Sequence, residues 1–202
     1  ELNSDNIYLG FRKIIYGLFM KLVIADNLLL INQKLTTTEE YFNQFYFVAF
    51  TIFNTLHIYY DFYSYTIIAI GIAKVFNIEL IQNFNAPYLS SSIKQFWSRW
   101  HITLSSWFRD YIYIPLGGNK KGVTIFIISI ITTFILSGIW HGQSSNFFIW
   151  SGLHILLYLI DHFFLREQTI LRRLFFIISI NITWIFFSFS NLEELVSYTT
   201  IC

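Results

Sequence analysis

The sequence predicts an all-α, polytopic membrane bundle with interfacial or re-entrant helices, and three observations predict it. Hydrophobic residues make up 55% of the chain and charged residues 12%, where a soluble domain carries about 25% charged. Apolar runs of membrane-crossing character recur, the cleanest at residues 123–140. Aromatic residues reach 21%, which suits interfacial belts and substrate passages.

Composition also excludes several function classes. A net charge of +1 without a continuous basic stripe gives no electrostatic basis for binding nucleic acid. The single cysteine, Cys202, leaves no internal disulfide or thiolate cluster. The five histidines lack HExxH spacing, so no metal is expected. The chain begins with Glu1, shows no signal-peptide pattern, and reads as a fragment cut at both ends of one membrane-embedded domain, residues 1–202.

Residues 10–31 are apolar but interrupted by Arg12, Lys13, Lys21 and Asp26, which predicts a tilted, interfacial or half-inserted helix rather than a clean crossing. Residues 32–40 read as a loop in which Thr38, Glu39 and Glu40 cap the next helix. Residues 41–76 exceed one crossing, so this run tilts, bends near residues 63–65 or continues past the membrane face. His57 and Asp61, four apart, share a helix face there, as a structural pair or as a polar wall of a pathway.

Residues 77–92 form a break in which Pro87 pushes Ala86 out of helical geometry and the serines cap the next helix. Residues 93–111 fit one amphipathic helix, with Trp97, Trp100, Trp107 and Tyr111 on its apolar face and His101, Arg109 and Asp110 on its polar sides. Ionisable groups are expensive in such surroundings, so Arg99, His101, Arg109 and Asp110 mark either a reaction site or an ion-pair set fixing a re-entrant helix.

The glycine-rich residues 117–122 lack the P-loop pattern and read as a cytoplasmic turn. Residues 123–140, 146–165 and 174–189 then supply three spans. If each crosses, Lys120 and Lys121 share the cytoplasmic side with a loop holding Arg166, Glu167, Arg172 and Arg173. His141 falls at the far end of its span, either as an interfacial residue or as a general base. Unperturbed imidazole titrates near ~6.5 and accepts a proton at neutral pH. His101 is a second candidate, whereas His154 and His162 read as structural. No GxSxG suggests a serine nucleophile.

Residues 83–122, NFNAPYLSSSIKQFWSRWHITLSSWFRDYIYIPLGGNKKG, with the WHG at Trp140 to Gly142, closely resemble the membrane-bound O-acyltransferase family, in its alginate O-acetyltransferase-like branch. Peptidoglycan O-acetylating and D-alanyl transfer proteins are relatives of that branch. The likeness runs from about Gly10, with KLVIADN at Lys21 to Asn27, through the GLH at Gly152 to His154. One departure stands at Asp61 to Ala69, where the family's DFSGYSDMA has Ser64 for its glycine and Ile67 for its second acid.

The resemblance implies a helical bundle around a central tunnel, with His141 as the acting histidine and His101 as the second functional one. Trp97, Arg99, Trp100, Trp107, Arg109, Asp110, Tyr111, Trp140, Asn146 and Asp61 are then expected to line the substrate path. It implies transfer of an acyl group, acetyl by preference, from a cytoplasmic thioester such as acetyl-CoA, with no bound cofactor. The acceptor would be a hydroxyl of an extracytoplasmic polysaccharide or peptidoglycan, reached directly or through an extracytoplasmic acetyltransferase partner. The protein would sit among lipids as a multi-pass component of the cytoplasmic (inner) membrane, lacking its N-terminal and C-terminal spans. The alternative from another class is a transporter using buried His and Asp as a proton or solute site.

Overall fold

Residues 10–31, expected to form a tilted, interfacial or half-inserted helix because of their charges, belong to one unbroken helix over Ser4–Thr37 that is long and apolar enough to cross a membrane. It comprises α1 (Ser4–Phe19), a π-helical stretch (Met20–Ala25) and α2 (Asp26–Thr37). Two of its charges, Lys21 and Asp26, are tolerated because they meet one another. In a regular α-helix, residues five apart point about 140° away from each other. The wider π turn brings Lys21 and Asp26 onto one side, where the Lys21 ammonium lies 2.9 Å from Asp26 and 2.5 Å from Asp61 of α3 (Gln44–Val75). Asp61 is thus one partner of a shared lysine, which answers the structural side of its sequence reading.

The computed structural model describes residues 3–37, 44–165, 169–189 and 191–200, and its regular elements there are all helical. The capping expected of Thr38, Glu39 and Glu40, like the loop positions Arg166 and Glu167, lies outside the described residues. The chain divides into two compact units, the first ending at Phe84 and the second covering Asn85–Thr200.

In the first unit α1 and α3 pack through small residues. A Cβ on Gly10 would stand 2.7 Å from the Gly71 carbonyl oxygen, and one on Gly71 2.7 Å from the Gly10 oxygen. One helical repeat further, Gly17 faces Ser64 and Ile68 in the same way. Backbones that approach this closely gain packing without relying on a hydrophobic force, as membrane helices must. Ser64 keeps the approach: it is fully buried and its hydroxyl donates back to the Asp61 carbonyl at 2.7 Å. α3 runs without a break through residues 63–65 and closes on Asn77, whose left-handed backbone lets Asn77 and Ile78 N–H donate to the Lys74 and Ala73 carbonyls.

The second unit holds α4 (Ile93–Trp97), α5 (Ile102–Phe108), a π turn (Arg109–Tyr113), α6 (Ile114–Leu116), α7 (Val123–His141), α8 (Ser145–Phe163), α9 (Ile170–Trp184) and α10 (Leu192–Thr200). Its core begins on one face of α7, where Phe126, Ile130 and Phe134 recur every fourth residue and pack against Trp97, Ile155, Tyr158 and Phe163. Among the described residues, α7 and Ile170–Phe187 join Ser4–Thr37 as the helices apolar and long enough to cross a membrane. α3 and α8 fall short of that standard, diluted by Asn54, His57 and Asp61 in one and by Asn146, His154 and Asp161 in the other.

Arg172 and Arg173 were expected in a loop; both lie in the first turn of α9. Arg172 is buried and clamps α9 to α8, its Nε and Nη2 donating to Asp161 Oδ1 at 3.0 and 2.7 Å. Removing one partner leaves the other charge buried and alone. Arg172→Leu is therefore expected to destabilise the protein by about 3–5 kcal/mol, read as denaturation of the detergent-solubilised full-length protein. Gly71→Val is expected to cost about 1–3 kcal/mol by forcing α1 and α3 apart. A Cβ on Gly152 meets nothing within 4 Å, so Gly152→Ala should be neutral or stabilising by up to about 1 kcal/mol in the same assay.

Candidate active site

His141 occupies the last turn of α7, and two glycines determine where its ring sits. A Cβ on Gly138 would fall 2.9 Å from the Phe147 carbonyl and against the Ser151 hydroxyl, so α7 and α8 approach closely just before the histidine. Gly142 then turns the chain with φ 152°, and a Cβ there would lie 2.8 Å from the Phe147 ring. That combination of backbone and space admits only glycine comfortably. Ser144 caps the start of α8.

The His141 ring is surrounded by aromatic rings on three sides of the helix end. Centroids lie 4.9 Å away at Trp140, 5.4 Å at Trp150, 5.8 Å at Phe147 and 5.0 Å at Phe187. Trp150, Phe147 and Phe187 carried no signal in the sequence: Phe187 arrives from the end of α9, and only the fold brings it here.

His101 reaches the same place by a different route. The single helix expected over residues 93–111 is broken at residues 98–101, and His101 itself adopts the left-handed conformation, φ 43° and ψ 56°. A non-glycine residue in that region is uncommon and costs backbone energy, a pattern that concentrates at functional sites. The break is stabilised on both sides. Ser92 caps α4 by accepting from Gln95 N–H at 3.1 Å, and the Ser105 hydroxyl donates to the Trp100 carbonyl at 2.8 Å. Phe96 stacks on Trp100 at 5.5 Å, and Trp100 meets Trp184 at 4.7 Å. Ala86, before Pro87, is also left-handed, and the Asn85 N–H donates to the Arg99 carbonyl at 3.0 Å, closing the loop that delivers α4.

The result places Trp140 beside two imidazoles, 6.4 Å from His101 and 4.9 Å from His141. Trp140 is 58% exposed and both histidines are half-buried, so the group is reachable. Two imidazoles beside one accessible indole can exchange a proton with a hydroxyl and offer an N–H to a developing oxyanion.

The other expected site residues separate. Trp97 and Trp100 pack among core aromatic rings, Trp97 touching Trp150 at 5.8 Å and Trp100 meeting Trp184 at 4.7 Å. Asn146 is buried, and its Nδ2 donates to the Phe189 carbonyl at 2.7 Å, so it ties α8 to the chain beyond α9. Trp107, Arg109, Asp110 and Tyr111 occupy an exposed face at the π turn, where Arg109 and Asp110 pair with each other at 2.7 and 3.1 Å. That pair joins two members of the expected ion-pair set, which are neighbours in the chain. Asp61 belongs to the first unit.

His154, read from sequence as structural, is fully buried one indole away from His141: its ring lies 4.5 Å from Trp150, 5.1 Å from Trp97 and 5.7 Å from Phe134.

The family model described as MBOAT, membrane-bound O-acyltransferase family, matches residues 1–198. A peptidoglycan O-acetyltransferase from Helicobacter pylori is 38% identical over 205 residues, covering 96% of this chain and 38% of the relative. A Pseudomonas fluorescens protein named "Probable alginate O-acetylase AlgI" is 35% identical over 156 residues, covering 74% of this chain and 30% of the relative. A teichoic acid D-alanyltransferase from Bacillus subtilis is 30% identical over 175 residues, covering 81% of this chain and 43% of the relative. The chain therefore spans well under half the length of these curated relatives.

Burial lowers the pKa of His101 below that of free imidazole. On acidification the unfolded chain takes up this proton before the folded one, so stability is undiminished above pH ~6.5 and declines below it. His101→Gln should flatten that part of the decline when denaturation is measured across a pH series.

Proposed function

Because this chain belongs to the membrane-bound O-acyltransferase family, we propose that it forms part of a multi-pass enzyme of the cytoplasmic membrane that acetylates a hydroxyl of an extracytoplasmic polymer. The donor in this reading is a cytoplasmic acetyl thioester such as acetyl-CoA. The observation that carries it is the pair of imidazoles beside an accessible Trp140. The names of the relatives, which cover peptidoglycan, alginate and teichoic acid, support an envelope polymer as the acceptor class.

Orientation comes from charge and length. The turn bearing Lys120 and Lys121 lies on the cytoplasmic side, and α7 rises for 19 residues from there to His141. At 1.5 Å per residue that is about 28 Å, close to the hydrocarbon thickness. His141 then faces the side from which the polymer hydroxyl comes, and the thioester reaches it from the cytoplasmic side.

In the reaction a His141 nitrogen takes the hydroxyl proton as the oxygen attacks the thioester carbonyl carbon. The His101 N–H steadies the oxyanion of the tetrahedral intermediate. The C–S bond breaks, and the departing thiolate recovers the proton from His141, so ester and thiol form with no net proton released. The surrounding aromatic rings align the reactants and keep out water that would hydrolyse the thioester.

The test uses the full-length protein with labelled acetyl-CoA, the polymer fraction being counted at matched protein levels. His141→Ala is expected to lower transfer by about 10²–10⁴-fold, and His101→Ala to lower it as well. Unchanged labelling in both variants overturns the reading. Movement of a solute with no covalent product would point to the transporter instead.

A further inference from the structure

The buried face of α8 carries polar atoms that the proposed transfer does not use. Asn146, Trp150 and His154 succeed one another at four-residue spacing with Ser151 alongside, and each is at most 1% exposed. Among the described residues no hydrogen-bond partner meets Asn146 Oδ1, Trp150 Nε1, Ser151 Oγ or either nitrogen of His154, nor the Nε1 of Trp97 opposite.

These atoms do not satisfy one another as they stand. The two indoles only donate, the amide oxygen only accepts, and a neutral imidazole needs one donor and one acceptor of its own. The rings around His154, from Trp97, Trp150 and Phe134, supply no lone pair to take its N–H. A water molecule donates twice and accepts twice, and it matches such a mixed set where no single side chain does. A buried polar face this dense is stable only when its members are satisfied.

We infer that this face of α8 is an internal hydration site, in which ordered water bridges His154 to Ser151 and to the indole N–H groups of Trp97 and Trp150. Trp150 also touches His141, at 5.4 Å between ring centroids. His154 is thereby a positioning residue: it fixes the indole against which the His141 imidazole rests. The positioning role rests on the acyl-transfer reading; the hydration does not.

Two measurements on the full-length protein test the inference. A density map that resolves ordered water is expected to show it within hydrogen-bonding distance of a His154 nitrogen and a Trp97 or Trp150 indole nitrogen. A dry site, or protein groups on both His154 nitrogens, overturns the hydration. With labelled acetyl-CoA as probe, His154→Phe, which keeps the ring and removes the polar atoms, should lower kcat about tenfold or more with KM within about twofold. His154→Gln, which retains a donor and an acceptor, should recover most of it. A purely structural role would lower the melting temperature and leave kcat per folded molecule intact, and that result overturns the positioning role. Should His154→Phe fail to fold, Ser151→Ala takes its place with the same expected split. If His141→Ala itself transfers normally, the acyl-transfer reading falls while the density still decides the hydration.

Discussion

Contact with one buried indole, that of Trp150, sets the geometry of the second unit. Its ring lies 5.8 Å from Trp97 of α4, 5.4 Å from His141 of α7, 6.3 Å from Trp184 of α9 and 5.2 Å from Phe187 just beyond. Pairs of this kind contribute about 0.5–1.5 kcal/mol each beyond the area they bury. In an apolar surrounding, direct packing has to replace the hydrophobic drive that collapses a soluble core. Three segments, α4, the end of α7 and the end of α9, are held in register with α8 by one side chain, and the position of His141 follows from that register.

The first unit solves the same problem with opposite means. Where the second uses the largest side chains, α1 and α3 meet through Gly10, Gly17, Ser64 and Gly71, so their backbones touch. Close approach leaves little room for a charged side chain, and Lys21 is accommodated by a local widening of the helix that lets two carboxylates share it. The serine that stands for the family's glycine belongs to this contact. It preserves the spacing because its hydroxyl turns inward onto its own helix.

Much of the architecture was legible in the residues. The apolar run of residues 123–140 matches α7, which carries the WHG histidine, His141, in its last turn, and Ser92 announced the start of α4. What escaped the sequence was decided by partners far along the chain. Lys21 and Asp26 read as interruptions of an apolar run, and only the fold sets Asp61 beside them. Arg172 read as loop because its buried partner, Asp161, lies on the preceding helix. His101 broke a well-patterned helix without glycine or proline to announce it, since the break is imposed by the stacking of Phe96, Trp100 and Trp184. His154 looked like an ordinary core residue for the same reason: its polar neighbours on α4 and α8 converge only in the fold.

The amide of Asn146 grips a carbonyl that belongs to none of the helices, at Phe189, where the chain has already left α9. Only a short turn separates that amide from His141. Tension on the polypeptide downstream of Phe189 must therefore stretch this bond or drag the first turn of α8 along, and with it the phenyl ring of Phe147 that rests on the imidazole. Phe189 is thus tied, through one amide, to the helix start whose Phe147 ring bears on the histidine.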